Sequence, residues 1–128
     1  MAQELGLMLD EVQKRLQQSQ SLSKLEEAGA LHALQVLTEN AIGKAKVTLK
    51  SLDQAVPISG YDAFAQLGDL GLETAEQLRD WTAAIGLRSR IVHEYLNMEM
   101  LVVKKIILDR LYQLQVDFLV SDIPTKKP

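Results

Sequence analysis

The chain contains no cysteine. That absence removes disulfide frameworks, cysteine-ligated zinc and thiol nucleophiles together, and it fits a reducing compartment. Aromatic residues make up only 5% of the chain and strand-like alternation is nearly missing, so the core must be sought in helical spacing. No apolar run approaches the roughly 20 residues that span a bilayer. The first ten residues carry Glu4 and show no basic stretch before an apolar core, which does not read as a signal peptide. A soluble, cytoplasmic protein with no membrane association is expected. A charge excess of one sign is missing too. With 14 Lys and Arg against 17 Asp and Glu, the net charge is −3. A general nucleic-acid coat would be strongly basic, so only a local basic cleft remains open. Carboxylates and histidines do not cluster at ligand spacing, and neither a metal nor another cofactor is expected.

What is present suffices for one domain. The 128 residues, 47% of them hydrophobic, can bury a core without covalent staples. Leu5, Leu9, Val12 and Leu16 step by four, three and four, which predicts a helix over about 2–20. Ser23 with Glu26 has the form of a capping box and starts a long helix over about 24–54. Its buried stripe is Leu34, Leu37, Ala41, Ala45, Leu49 and Leu52. Pro57 and Gly60 open a loop, and a short helix covers 61–70. Thr74 with Gln77 repeats the capping box before a helix over about 74–96, and a last helix runs over about 99–120. The expected fold is all-α, an antiparallel four-helix bundle with one extra short helix. Residues 1–121 form the single domain, and 122–128, with Pro124, Lys126, Lys127 and Pro128, form a flexible tail.

One segment stands out, Arg88-Ser89-Arg90-Ile91-Val92-His93-Glu94-Tyr95. On an ideal helix, Trp81, Ala84, Ile85, Ile91, Val92 and Leu96 share a face, and Arg88 falls near its middle. Tyr95 lies within about 20° of Arg88, whereas His93 is about 140° round the helix. A guanidinium cannot be buried bare, so Arg88 needs a carboxylate, a subunit partner or a polar cleft, or must snorkel to water. Glu39 on the second helix is a candidate partner. His32 has no neighbour that lifts it above a surface histidine. The basic residues Arg88, Arg90, Lys104, Lys105 and Arg110 form either a solvated face or a local phosphate attractant.

The order Arg88, four residues, His93, one residue, Tyr95 resembles the signature of HepT-like proteins in the HEPN superfamily. Leu31-His32-Ala33-Leu34-Gln35, Tyr61 with Phe64 after the Pro/Gly loop, and 86–95 fall in the same order as in that family. The likeness covers about 5–120. It implies a homodimeric HEPN-like bundle that acts as a ribonuclease toxin, paired with a minimal nucleotidyltransferase antitoxin in a type VII-like system. The family's catalytic arginine and histidine correspond to Arg88 and His93, and the tyrosine that the antitoxin modifies with AMP corresponds to Tyr95. Where the family usually has Asn or Asp after the arginine, this chain has Ser89, whose hydroxyl still hydrogen-bonds with shorter reach. Ser89 and Arg90 would support the site.

The implied chemistry is metal-independent endoribonuclease cleavage, in which the RNA's own 2′-hydroxyl attacks. Histidine suits both proton transfers because it titrates near neutral pH, but one subunit supplies only one His93. A two-fold dimer brings two together. An alternative is a non-catalytic nucleotide- or substrate-binding partner subunit of a nucleotidyltransferase. A purely structural dimeric bundle is the third reading.

Overall fold

Helix starts and stops, more than helix interiors, decide this fold. The computed structural model describes the backbone of residues 1–94 and 100–122, and side chains over 1–88 and 103–122. Six helices run in order: α1 (Ala2–Gln17), α2 (Lys24–Ser51), α3 (Gly60–Asp69), α4 (Ala75–Glu94), α5 (Met100–Leu108) and α6 (Tyr112–Val120). No strand occurs among the described residues. Both expected capping boxes form. Ser23 Oγ accepts from Glu26 N–H while Glu26 Oε1 accepts from Ser23 N–H. Thr74 and Gln77 do the same at 3.1 and 2.8 Å. Each box satisfies backbone N–H groups that a helix start leaves free.

Four helix ends share another device. Ser19, Asp53, Gly71 and Arg110 all adopt positive φ, at 57°, 59°, 78° and 55°. At each, the following N–H reaches back five residues, as from Gln20 to the Arg15 carbonyl at 2.9 Å and from Leu111 to the Ile106 carbonyl at 3.1 Å. This Schellman closure satisfies carbonyls that a helix end leaves open. It ends α1 at 17 instead of the expected 20, and α2 at 51 instead of 54.

The closure at Arg110 divides the helix expected over 99–120 into α5 and α6. Apolar spacing runs on through this break, and no glycine or proline marks it. Tertiary partners from α1 hold it open. Gln13 Nε2, largely buried, donates to the Leu108 carbonyl at 3.0 Å. Arg110 Nη2 donates to Asp10 Oδ1 at 3.2 Å, and Tyr112 donates to the same oxygen at 2.5 Å. Burial, followed by the bond to Asp10, pushes the Tyr112 hydroxyl up to about 12.

The core has two parts with α2 between them. One joins Leu9 and Val12 of α1, Ala30, Ala33, Leu34 and Leu37 of α2, Leu87, Val103, Ile107, Tyr112 and Val116. The other joins Ala41, Ala45 and Leu49 of α2 to Phe64, Leu67 and Trp81. In the second part Phe64 stacks on Trp81 with centroids 4.1 Å apart, and Phe118 meets Trp81 edge-on at 5.2 Å. Lys44 Nζ lies 5.2 Å from the Phe118 ring centroid and donates to the carbonyls of Phe118 and Ser121. A cation there complements the negative end of α6.

Beside this aromatic group lies a cleft of about 290 Å³, lined in part by Thr48, Glu73, Gln77 and Asp117. Glu73 Oε2 and Trp81 Nε1 are both shielded from solvent without a hydrogen bond of good geometry. Burial pushes the Glu73 carboxyl up, and the Trp81 N–H beside it offsets part of that rise.

Two outcomes are expected. Ser19→Gly relieves left-handed strain of about 1–2 kcal/mol against a glycine entropy cost of about 0.5–1 kcal/mol. The net gain, roughly 0.5–1 kcal/mol, is read from urea unfolding, and an unchanged midpoint would contradict the strain. Glu73 holds its proton more tightly folded than unfolded. Its contribution is therefore fully present below the unfolded carboxyl value and is lost as pH rises through the folded one. Glu73→Gln should raise the thermal midpoint at pH 7, and the difference should shrink on acidification through the carboxyl range.

Candidate functional site

The segment singled out in the sequence lies on one helix. Residues 88–94 all belong to the C-terminal part of α4. Arg88 and His93 therefore ride a common rigid axis, about 7.5 Å apart along it. Ser89, Arg90 and His93 are placed by the α4 backbone, and their side chains lie outside the described set. Tyr95 lies outside the described residues altogether.

Arg88 is not at the middle of the buried face, as ideal helical arithmetic suggested. Its side chain is 40% exposed, while Leu87 beside it is only 6% exposed. The reason is a change of neighbours along α4. Trp81 packs into the α2–α3 side of the core, whereas Leu87 packs into the part shared with α1 and α5. The buried stripe rotates accordingly, and Arg88 is carried to the rim between α4 and α2.

At that rim the carboxylate expected as a partner is present. Arg88 Nε stands 3.5 Å from Glu39 Oε1, and the Glu39 side chain is 42% exposed. The Nε atom itself is shielded from water and makes no hydrogen bond of good geometry. Glu39 Oε1 also accepts from Gln35 Nε2 at 3.3 Å. Gln35 was not read from the sequence as part of the site. Its one signal was the four-residue spacing to Glu39, which puts the two side chains on one helical face. Among the described residues the Arg88–Glu39 contact is the ion pair that Arg88 makes, and it uses Nε, not the outer Nη groups.

The expected basic face is only partly available. Arg110 is engaged with Asp10 and with Gln113 Oε1 at 3.1 Å, so it serves the α5–α6 junction. Lys104 is half-buried and Lys105 exposed on α5. His32 is exposed on α2. Among the described residues no three His, Asp or Glu side chains stand together as metal ligands would. No described helix is long and apolar enough to cross a membrane.

The family model described as "Ribonuclease HepT-like" matches residues 3–118. Among solved structures, one described as the crystal structure of a toxin–antitoxin with AMP-PNP is similar, with a TM-score of 0.70 and 19% identity. The similarity covers 92% of this chain and 96% of that one, and at such identity it speaks for the fold. No curated protein matches the chain.

Proposed function

The chain belongs to the HepT-like ribonuclease family, and from that premise we propose that it is the toxin of a toxin–antitoxin pair, a metal-independent endoribonuclease. The observation that carries this reading is Arg88, a half-exposed guanidinium at the α2–α4 rim, followed five residues later on the same helix by His93.

The chemistry follows from those two side chains and from RNA itself. His93 takes the proton from the 2′-hydroxyl, and the freed oxygen attacks the adjacent phosphorus. The bond to the 5′-oxygen breaks, and that oxygen leaves with a proton from a second histidine. A single subunit has one His93, so the second comes from another copy across a two-fold axis. The products end in a 2′,3′-cyclic phosphate and a 5′-hydroxyl. Arg88 stabilises negative charge on the phosphoryl oxygens in the transition state, a task for which a planar guanidinium with several donors is suited. No step in this sequence calls for a metal. Ser89 and Arg90 would steady the same phosphate.

The antitoxin in this reading is a minimal nucleotidyltransferase. The Tyr95 phenol oxygen attacks the α-phosphorus of ATP, losing its proton, while the bond to pyrophosphate breaks. The added AMP brings negative charge and bulk close in sequence to Arg88 and competes with substrate phosphate. That the similar toxin–antitoxin was crystallised with AMP-PNP supports an adenine nucleotide at work in such pairs.

Two measurements test the proposal. His93→Ala should slow cleavage of a labelled RNA by about a hundredfold or more, with EDTA leaving the wild-type rate unchanged. Wild-type speed in the variant, or abolition by EDTA, would sink the mechanism. Tyr95→Phe should remain toxic to cells that also make the nucleotidyltransferase, and the wild-type chain should gain the mass of one AMP. AMP mapped to any other residue would overturn the assignment of Tyr95.

A further inference from the structure

We infer that Glu39 is a positioning residue for Arg88: its carboxylate, steadied by Gln35, holds the Nε edge of the guanidinium so that the two Nη groups are presented to a substrate phosphate. The inference rests on the ribonuclease reading above and deepens it.

Three observations carry it. The first is which edge of the guanidinium is engaged. Glu39 approaches Nε, at 3.5 Å, on the side shielded from solvent. The contact falls on Nε, and among the described residues no hydrogen bond to an Nη group accompanies it, so the outer fork is assigned to an anion. Two parallel N–H donors match two phosphoryl oxygens.

The second is how Glu39 itself is held. It lies inside α2, which runs unbroken from Lys24 to Ser51 behind a complete capping box. One turn earlier, Gln35 donates to the same oxygen that faces Arg88. A carboxylate with its rotamer limited by a neighbour and its backbone on a packed helix is a stiffer guide than a loop residue. Thr38, next to it, is buried and accepts from Gln115 Nε2 of α6 at 2.7 Å, which ties α2 to its neighbour at this turn.

The third is what the pair does not do. With both side chains about two-fifths exposed, an ion pair of this kind contributes at most about 1 kcal/mol to folding. Stability alone therefore gives little reason for the arrangement. Orientation does, because misplacing a catalytic group by about 1 Å can cost two orders of magnitude in rate.

The test is steady-state cleavage of a labelled RNA by the full chain. Glu39→Gln should lower kcat about tenfold without raising KM, because it removes a negative charge near the phosphate while freeing the guanidinium to wander. The urea midpoint should not move, since Glu39 is exposed. In an Arg88→Lys background the same substitution should have no further effect, because its only route of action has been altered. Unchanged kcat, a rise in KM alone, or a loss that multiplies with that of Arg88→Lys would each overturn the inference. A wild-type chain that cleaves no RNA would overturn the ribonuclease reading, and this inference with it.

Discussion

The alanine- and leucine-lined faces of α2 are what the other helices depend on. α1, α3, α4 and α6 all pack against this one helix. Ala30, Ala33, Ala41 and Ala45 are fully buried, and their small side chains let neighbouring helices approach while Leu34, Leu37 and Leu49 fill the space between. Because α2 serves both parts of the core, its register sets where every outward residue on it points. Glu39 and Gln35 inherit their positions from that packing. The rim site is in this sense a by-product of the core, and it is as well placed as α2 is straight.

Helix ends are the second organising feature. Interior turns satisfy their own hydrogen bonds, so the chain spends its polar side chains where helices stop. Gln13 reaches from α1 to the last carbonyls of α5, and Lys44 reaches from α2 to those of α6. Both are contacts between residues far apart in sequence. They fix the α5–α6 junction and the end of α6 relative to the bundle. Arg110 carries positive φ at the junction and is held there by Asp10, so a basic residue that could have faced substrate is used for architecture.

Arg88 shows the opposite allocation. Its pair with Glu39 is too exposed to do much for stability, and among the described residues the contact falls on Nε. In the proposed reaction, a guanidinium that grips phosphate only in the transition state gains from a partner that orients it without claiming its outer donors. The buried residue at that point is Leu87, which anchors α4 one position earlier and frees Arg88 for the rim.

Much of this was legible in the sequence, for local reasons. Both capping boxes, the stripe of α2 and the all-helical class depend on side chains three or four residues apart, and helical geometry makes those spacings readable. The order of Arg88, His93 and Tyr95 was readable too, and it led to the family. Other features were not local. The break at Arg110 follows a continuous apolar pattern and exists because Gln13 and Asp10, about a hundred positions away, bind its open carbonyl and its left-handed residue. The displacement of Arg88 from the buried face arises because α4 changes neighbours between Trp81 and Leu87, which a single helical wheel cannot represent. The sequence by itself determined which segments are helical and which family the chain resembles, since both are written in short spacings. Only the tertiary structure decided where the last helix divides and which way Arg88 faces, since both depend on what the rest of the chain packs against them.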